Sequence, residues 1–196
     1  MKTDYSDIID FFNLHANRWD SCQKEKDFSA ISKIMERSRV NSNHIILDVG
    51  CGSGVLTECL IRKGCCNISG IDISNNMIDI FQKKFPDIPA VNANYEKHPF
   101  PDKSFDRIFI FNSFPHFINS ESVFNNSFNF LKKNGQLIIA HSMNREKLNQ
   151  HHKLAGKQVE NDILIPDDSF MELYIKSGFK NIVMDNSDYF YSRGEK

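Results

Sequence analysis

From residue 44 onward, short apolar runs alternate with helix-length stretches whose apolar residues recur every three or four positions. Residues 44–49 (His-Ile-Ile-Leu-Asp-Val) predict a buried first strand. Residues 55–63 predict a helix with Leu56, Leu60 and Ile61 on one face. Strand two falls over 67–73, and a second helix follows over 75–85, with Ser74 as its N-cap and Pro86 just beyond its end. A short strand over 90–92, a loop carrying Pro99 and Pro101, and a strand over 107–111 written in Ile and Phe come next. A helix over 121–131, a Lys133-Asn134-Gly135 turn and a fifth strand over 136–140 complete the repeat. Such alternation predicts a parallel sheet covered on both faces.

Two regions break the rhythm. Residues 1–43 predict helices laid over the sheet, the first with Ile8, Phe11, Phe12 and Trp19 on its apolar side. Residues 142–166 form a polar insertion holding Asn149, His151 and His152. The end predicts a helix over 167–177 capped by Gly178, then a closing hairpin over 181–185 and 189–192.

Composition narrows the class. The chain has 196 residues, enough for one core, with 40% hydrophobic and 25% charged positions. A formal charge of -1 and the lack of any Lys/Arg block disfavour a large nucleic-acid partner. Five cysteines without scaffold-like spacing read as reduced thiols in a cytoplasmic protein. The polar, acidic start is not a secretory signal, and no apolar run approaches the roughly 20 residues that span a bilayer. The oligomeric state is left open.

The most informative segment is Ile46-Leu47-Asp48-Val49-Gly50-Cys51-Gly52-Ser53-Gly54. A buried strand runs into three alternating glycines and then a helix, so the backbone can approach a ligand while free N–H groups face it. That arrangement suits a nucleotide-type cofactor. A dinucleotide fingerprint needs glycine at the sixth place, which is Val55 here, so NAD and FAD are disfavoured.

The spacing resembles the class I S-adenosylmethionine-dependent methyltransferases, whose first motif reads Leu-Asp-x-Gly-x-Gly-x-Gly. Residues 94–106 resemble the family stretch Asp-Ala-x-x-Leu-Pro-Phe-x-Asp-x-Ser-Phe-Asp, and 131–139 resemble its Leu-Lys-Pro-Gly-Gly turn into a strand. Residues 11–20 are similar to a Phe-Phe-Asp-x-x-Ala-x-x-Trp-Asp opening in many small-molecule members. Within the class the chain looks most similar to the small-molecule branch that includes ubiquinone and menaquinone biosynthesis methyltransferases. The resemblance implies a three-layer, Rossmann-like α/β sandwich. Its sheet is seven-stranded and mostly parallel, with a C-terminal antiparallel hairpin and N-terminal covering helices. One domain would span residues 1–196, with 1–43 as cap and 142–166 as lid.

It also implies S-adenosylmethionine as cofactor and S-adenosylhomocysteine as product. Gly50, Gly52 and Gly54 would line the methionine and ribose, with Asp48 near the amino group and Cys51 packing in the loop. Asp72 would accept both ribose hydroxyls, one per carboxylate oxygen, and Ile73 would pack on the adenine. Asn94 departs from a frequent family Asp, but its amide oxygen can still accept the adenine amino group, and Tyr95 would stack on the base. Trp19 would close over the site, and Asn112 joins the cofactor set.

Ligands of open α/β sheets bind beyond the carboxyl ends of the strands. His116 follows strand four and His141 ends strand five, so both are expected on one crevice, as proton acceptors for a substrate hydroxyl, thiol or amine. Metal-ligand spacing is absent among His116, His141, His151 and His152, and no metal is expected. The reaction would be in-line displacement of an electrophilic methyl. Neither the Pro-Cys motif of cytosine C5 enzymes nor the Asn-Pro-Pro-aromatic motif of adenine N6 enzymes occurs. Three readings stay open: methyl transfer to a small molecule, methyl transfer to protein or RNA, and non-catalytic, regulatory binding of S-adenosylmethionine.

Overall fold

A computed structural model describes residues 4–22 and 25–196, apart from the side chains of 22 and 25–27. The parts of the expected cap at 1–3 and 23–24 lie outside the described residues. Seven strands form one sheet: β1 (Ile46–Val49), β2 (Ile68–Asp72), β3 (Ala90–Asn92), β4 (Phe105–Phe111), β5 (Leu131–His141), β6 (Lys180–Asp185) and β7 (Phe190–Glu195). Their order is β3-β2-β1-β4-β5-β7-β6, with β7 antiparallel to both neighbours and the rest parallel. This is the Rossmann-like sandwich with the antiparallel C-terminal hairpin.

Period-two alternation loads both faces of that sheet. On β4, Ile108 and Ile110 face one cluster with Phe124, Phe170 and Tyr174, from α5 (Ser120–Phe130) and α7 (Asp167–Lys176). Phe109 and Phe111 face the other cluster, with Ile31 and Ile34 of α2 (Glu25–Arg37) and Leu56 and Leu60 of α3 (Val55–Arg62). A strand apolar on both sides therefore follows from helices on both sides. Ile61, expected on the inner face of α3, is 40% exposed. Leu56, Cys59 and Leu60 hold the buried row, and one further residue turns the helix about 100° away from it.

Ser74 caps α4 (Asn75–Lys84), its hydroxyl accepting the Met77 N–H at 3.2 Å. The expected Lys133–Gly135 turn is instead a bulge inside β5: Phe105 pairs with Leu131, but Arg107 already pairs with Gln136. Asn134 sits at φ 64, and Lys132 reaches back to Asp106 at 3.0 Å. Arg37 ties α2 to the hairpin, donating to Asp185 at 2.7 Å and lying 4.1 Å over the Tyr191 ring. No helix among the described residues is long and apolar enough to cross a membrane.

The remaining helices serve the sheet's carboxyl end. The chain runs from β1 outward to β3, then returns on the other side of β1 as β4, which makes β1/β4 the switch point where a crevice opens. The cap helix α1 (Ser6–Trp19) and the lid helix α6 (Arg145–Ala155) border that crevice.

His141 departs from expectation. It is 0% exposed and absent from the crevice wall, because on β5 it shares the parity of Leu137 and Ile139 and points into the core. Neither ring nitrogen has a partner among the described residues. Burial pushes its pKa well below 6.5, so the folded chain refuses a proton that the unfolded chain takes up. Stability contributed by neutral His141 is thus fully present above pH 6.5 and lost as pH falls below it. We expect His141→Leu to flatten the acid side of the stability curve by up to ~1.4 kcal/mol per pH unit. Denaturant titrations of both proteins between pH 7 and pH 5 check this; parallel curves would contradict it.

Candidate active site

The site begins in the turn between β1 and α3. Gly50 and Gly52 both hold left-handed φ, at 66° and 53°. A Cβ on Gly50 would meet Ser113 Oγ at 2.5 Å, whereas one on Gly52 would find nothing within 4 Å and project into open space. Gly52 thus leaves an open cradle, and its N–H donates to Asp72 Oδ2 at 2.8 Å. Gly54 plays a different part from the one expected. It is off the cavity wall, and a Cβ there would strike Phe85 at 2.4 Å, so its absence of side chain serves packing of the turn against α4.

A cavity of about 520 Å³ lies over this turn. Asp48, Gly50, Cys51 and Gly52 line it from β1 and its turn; Asp72 and Ile73 come from the end of β2. Asn94 and Tyr95 follow β3, Asn112 and His116 follow β4, and Trp19 closes it from α1. Sequence reasoning therefore placed these eleven side chains or backbones together, and missed on Gly54 and His141.

Several of them are held differently from expectation. The Tyr95 hydroxyl turns into the core, bonded to Ser127 at 2.8 Å, so only its ring borders the cavity. Asn94 Oδ1 already accepts the Glu96 N–H at 2.8 Å. Asn112 Oδ1 accepts the Ser142 N–H at 2.9 Å and so joins the ends of β4 and β5. The Cys51 thiol is 5% exposed and burial pushes its pKa up, as befits a packing residue.

Polar anchors fasten the cap, and the apolar pattern alone did not reveal them. The Tyr5 hydroxyl donates to Glu96 and accepts the Ile118 N–H at 2.9 Å. Asn13 Oδ1 accepts the Ser74 hydroxyl at 2.6 Å, and its carbonyl accepts Asn76 Nδ2 at 3.0 Å. Asp20 accepts the Ser53 hydroxyl at 2.6 Å and pairs with Lys84. Asn92, also overlooked, donates to the Asp72 and Ile73 carbonyls at 3.1 and 2.9 Å and so steadies the end of β2.

Electrostatically the cavity has two ends. Its floor is acidic: Asp48 is 1% exposed, and its carboxylate accepts the Thr57 hydroxyl at 2.7 Å. Burial raises the Asp48 pKa to about 7, against the opposing Thr57 bond and with added repulsion from Asp72. Asp72 is also raised by burial, opposed by the Ser74 and Gly52 N–H groups. Among the described residues, no lysine or arginine lines the cavity. The far end is apolar and imidazole-rich, with Phe117, Met143, Leu148, His116, His151 and His152. No group of three or more potential metal ligands occurs among the described residues.

Residues 47–139 match the family described as the methyltransferase domain. A curated relative of this domain, the ubiquinone/menaquinone biosynthesis C-methyltransferase UbiE of Campylobacter jejuni, is 26% identical over 153 residues. That match takes in 71% of this chain and only 65% of the relative's length. Solved methyltransferase structures share the fold. In a Haloferax volcanii complex between the Trm112 methyltransferase activator and a methyltransferase, one chain superposes with a TM-score of 0.81 at 16% identity, covering 94% of this chain and 96% of that one. A phosphoethanolamine N-methyltransferase from Haemonchus contortus, solved with phosphomonomethylethanolamine and S-adenosylhomocysteine, gives 0.71 at 18% identity, over 93% of this chain and 44% of that one.

The acidic floor of the cavity has a measurable cost. Because the folded pKa of Asp48 lies above its unfolded value of 3.8, stability falls as pH rises from 3.8 to about 7 and stays reduced above that. Asp48→Asn, which keeps an acceptor for Thr57, should stabilise the protein at pH 8 by up to ~4 kcal/mol, the gap closing toward pH 4. Urea unfolding at the two pH values checks this. An equal effect at both would contradict the assignment.

Proposed function

We propose that this protein transfers a methyl group from S-adenosylmethionine to a small, uncharged acceptor. The observation that carries the reading is Asp72: its carboxylate stands at the tip of β2 facing the cavity, fixed by the Gly52 and Ser74 N–H groups at 2.8 Å each, beside the open cradle of Gly52. Each oxygen keeps a free lone pair for a ribose hydroxyl. Asp48 would face the ammonium group, since a buried carboxylate without a cationic side chain beside it favours a cationic ligand. Gly50 and Gly52 would back the methionine, Ile73 the adenine, and Asn94 and Asn112 the polar rim. Trp19 would shut the pocket against water.

When bound, S-adenosylmethionine supplies an electrophilic methyl on a sulfonium and leaves as S-adenosylhomocysteine, with the broken bond's electron pair on sulfur. The residues' own task is to orient the acceptor, keep water out and receive its proton. Cap and lid supply the enclosure. That no lysine or arginine lines the wall among the described residues supports an acceptor without phosphate or carboxylate, and the quinone-pathway relative supports a small molecule. Free cysteines at Cys51, Cys59, Cys65 and Cys66 suit a cytoplasmic setting. We read cap, sheet and lid as one working unit over residues 1–196.

Trp19 is the single tryptophan of the chain, so its fluorescence reports on the cavity alone. S-adenosylhomocysteine should change it in a saturable way, and Asp72→Ala should weaken that binding more than tenfold, from ~1–3 kcal/mol of lost acceptor bonds. Equal affinity of the two proteins would remove Asp72 from the site.

A further inference from the structure

The lid does more than cover the cavity. His116 Nδ1 lies 2.8 Å from Asp162 Oδ2, and Asp162 is 5% exposed and sits behind the cavity wall. The His116 ring is packed edge-on against Phe12, with centroids 5.0 Å apart, and lies tilted against His152 at 5.1 Å. The backbone that carries this carboxylate is held in place. The Asp162 carbonyl accepts from His152 Nδ1, and the Asp162 N–H donates to the Val159 carbonyl at 2.9 Å. Two residues on, Asn149 of α6 accepts the Leu164 N–H at 2.8 Å and pins the strand of lid that carries Asp162.

A carboxylate only accepts, so the proton of a neutral His116 must sit on Nδ1. Nε2 then carries a lone pair on a ring that lines the cavity, and among the described residues nothing bonds to it. We infer that Asp162 is a positioning residue: from the lid it locks His116 in the Nδ1–H form, so that Nε2 takes the proton from a hydroxyl of the acceptor. This rests on the methyl transfer proposed above, and names the acceptor as a phenol, enol or similar O–H compound. In the step, the acceptor O–H bond breaks, its electron pair stays on oxygen, and a new N–H bond forms at Nε2. Asp162 faces the imidazolium positive charge until the proton passes to water. Base and lid are thereby one device, because His116 is correctly oriented only when residues 156–166 are in place.

Nitrogen-resolved NMR of histidine-labelled full chain at pH 8 tests it, with His116→Gln to assign the ring. Wild type should show His116 with hydrogen on Nδ1 and a bare Nε2. Asp162→Asn, whose amide can donate to Nδ1, should move the hydrogen to Nε2 in most molecules, and Asp162→Glu should restore the wild-type pattern. Wild-type His116 with hydrogen on Nε2 would overturn the proposal even if a variant failed to fold, as would an unchanged tautomer in Asp162→Asn. Calorimetry with S-adenosylhomocysteine separates the two claims. Asp162→Asn should keep the wild-type affinity within about twofold, whereas failure of wild type itself to bind would strike the proposed function and not the tautomer.

Discussion

β1 carries Asp48 one residue from its end, β2 ends in Asp72, and among the described residues no lysine or arginine lines the cavity they face. Two carboxylates on one cavity wall, pushed upward in pKa by burial, are the constraint on which the rest of the site depends. Hydrogen-bond donors offset part of their cost: the Gly52 and Ser74 N–H groups donate to Asp72, and the Thr57 hydroxyl donates to Asp48. The glycine turn can supply the first of these only because it runs close to β2 in left-handed conformation. What remains unsatisfied is charge, and a ligand that is cationic and rich in hydroxyls answers both carboxylates at once.

The cap and lid follow from the same demand, since an electrostatic site gains strength as water leaves. α1 closes one side through Tyr5, Asn13 and Asp20, each bonded to a different loop at the carboxyl end of the sheet. α6 and the segment after it close the other through Asn149 and the His116–Asp162 pair. Both closures add buried apolar residues to these polar bonds, Ile8 and Phe11 on α1 and Leu148, Val159 and Leu164 on α6 and the segment after it. Core packing of β4 and β5 against helices on both faces lies beneath them.

Much of this was legible in the sequence, for identifiable reasons. A strand apolar on both faces must be covered on both faces, so the runs at 107–111 and 136–140 announced a parallel sheet with little ambiguity. Glycines at positions 50 and 52 and the acid at 72 pointed to one cavity wall, and the structure does bring them together, the Gly52 N–H bonding to Asp72. Failures came where partners are distant in sequence. His141 was placed by adjacency to the strand end, although the period-two parity of Leu137 and Ile139 already pointed it inward. Gly54 read as a third ligand glycine until Phe81 and Phe85 appeared against it. Asp162 sits in a segment with no periodicity and no motif, and only folding brings it to His116, 46 residues away.

The account stands or falls on where the cofactor's sugar sits. A crystal structure of the protein grown with S-adenosylhomocysteine is the most direct measurement. We expect both ribose hydroxyls within hydrogen-bond reach of Asp72 and the amino acid portion lying over Gly50 and Gly52 toward Asp48. Ligand density at a different place, leaving the turn between β1 and α3 filled by water, would contradict the central claim.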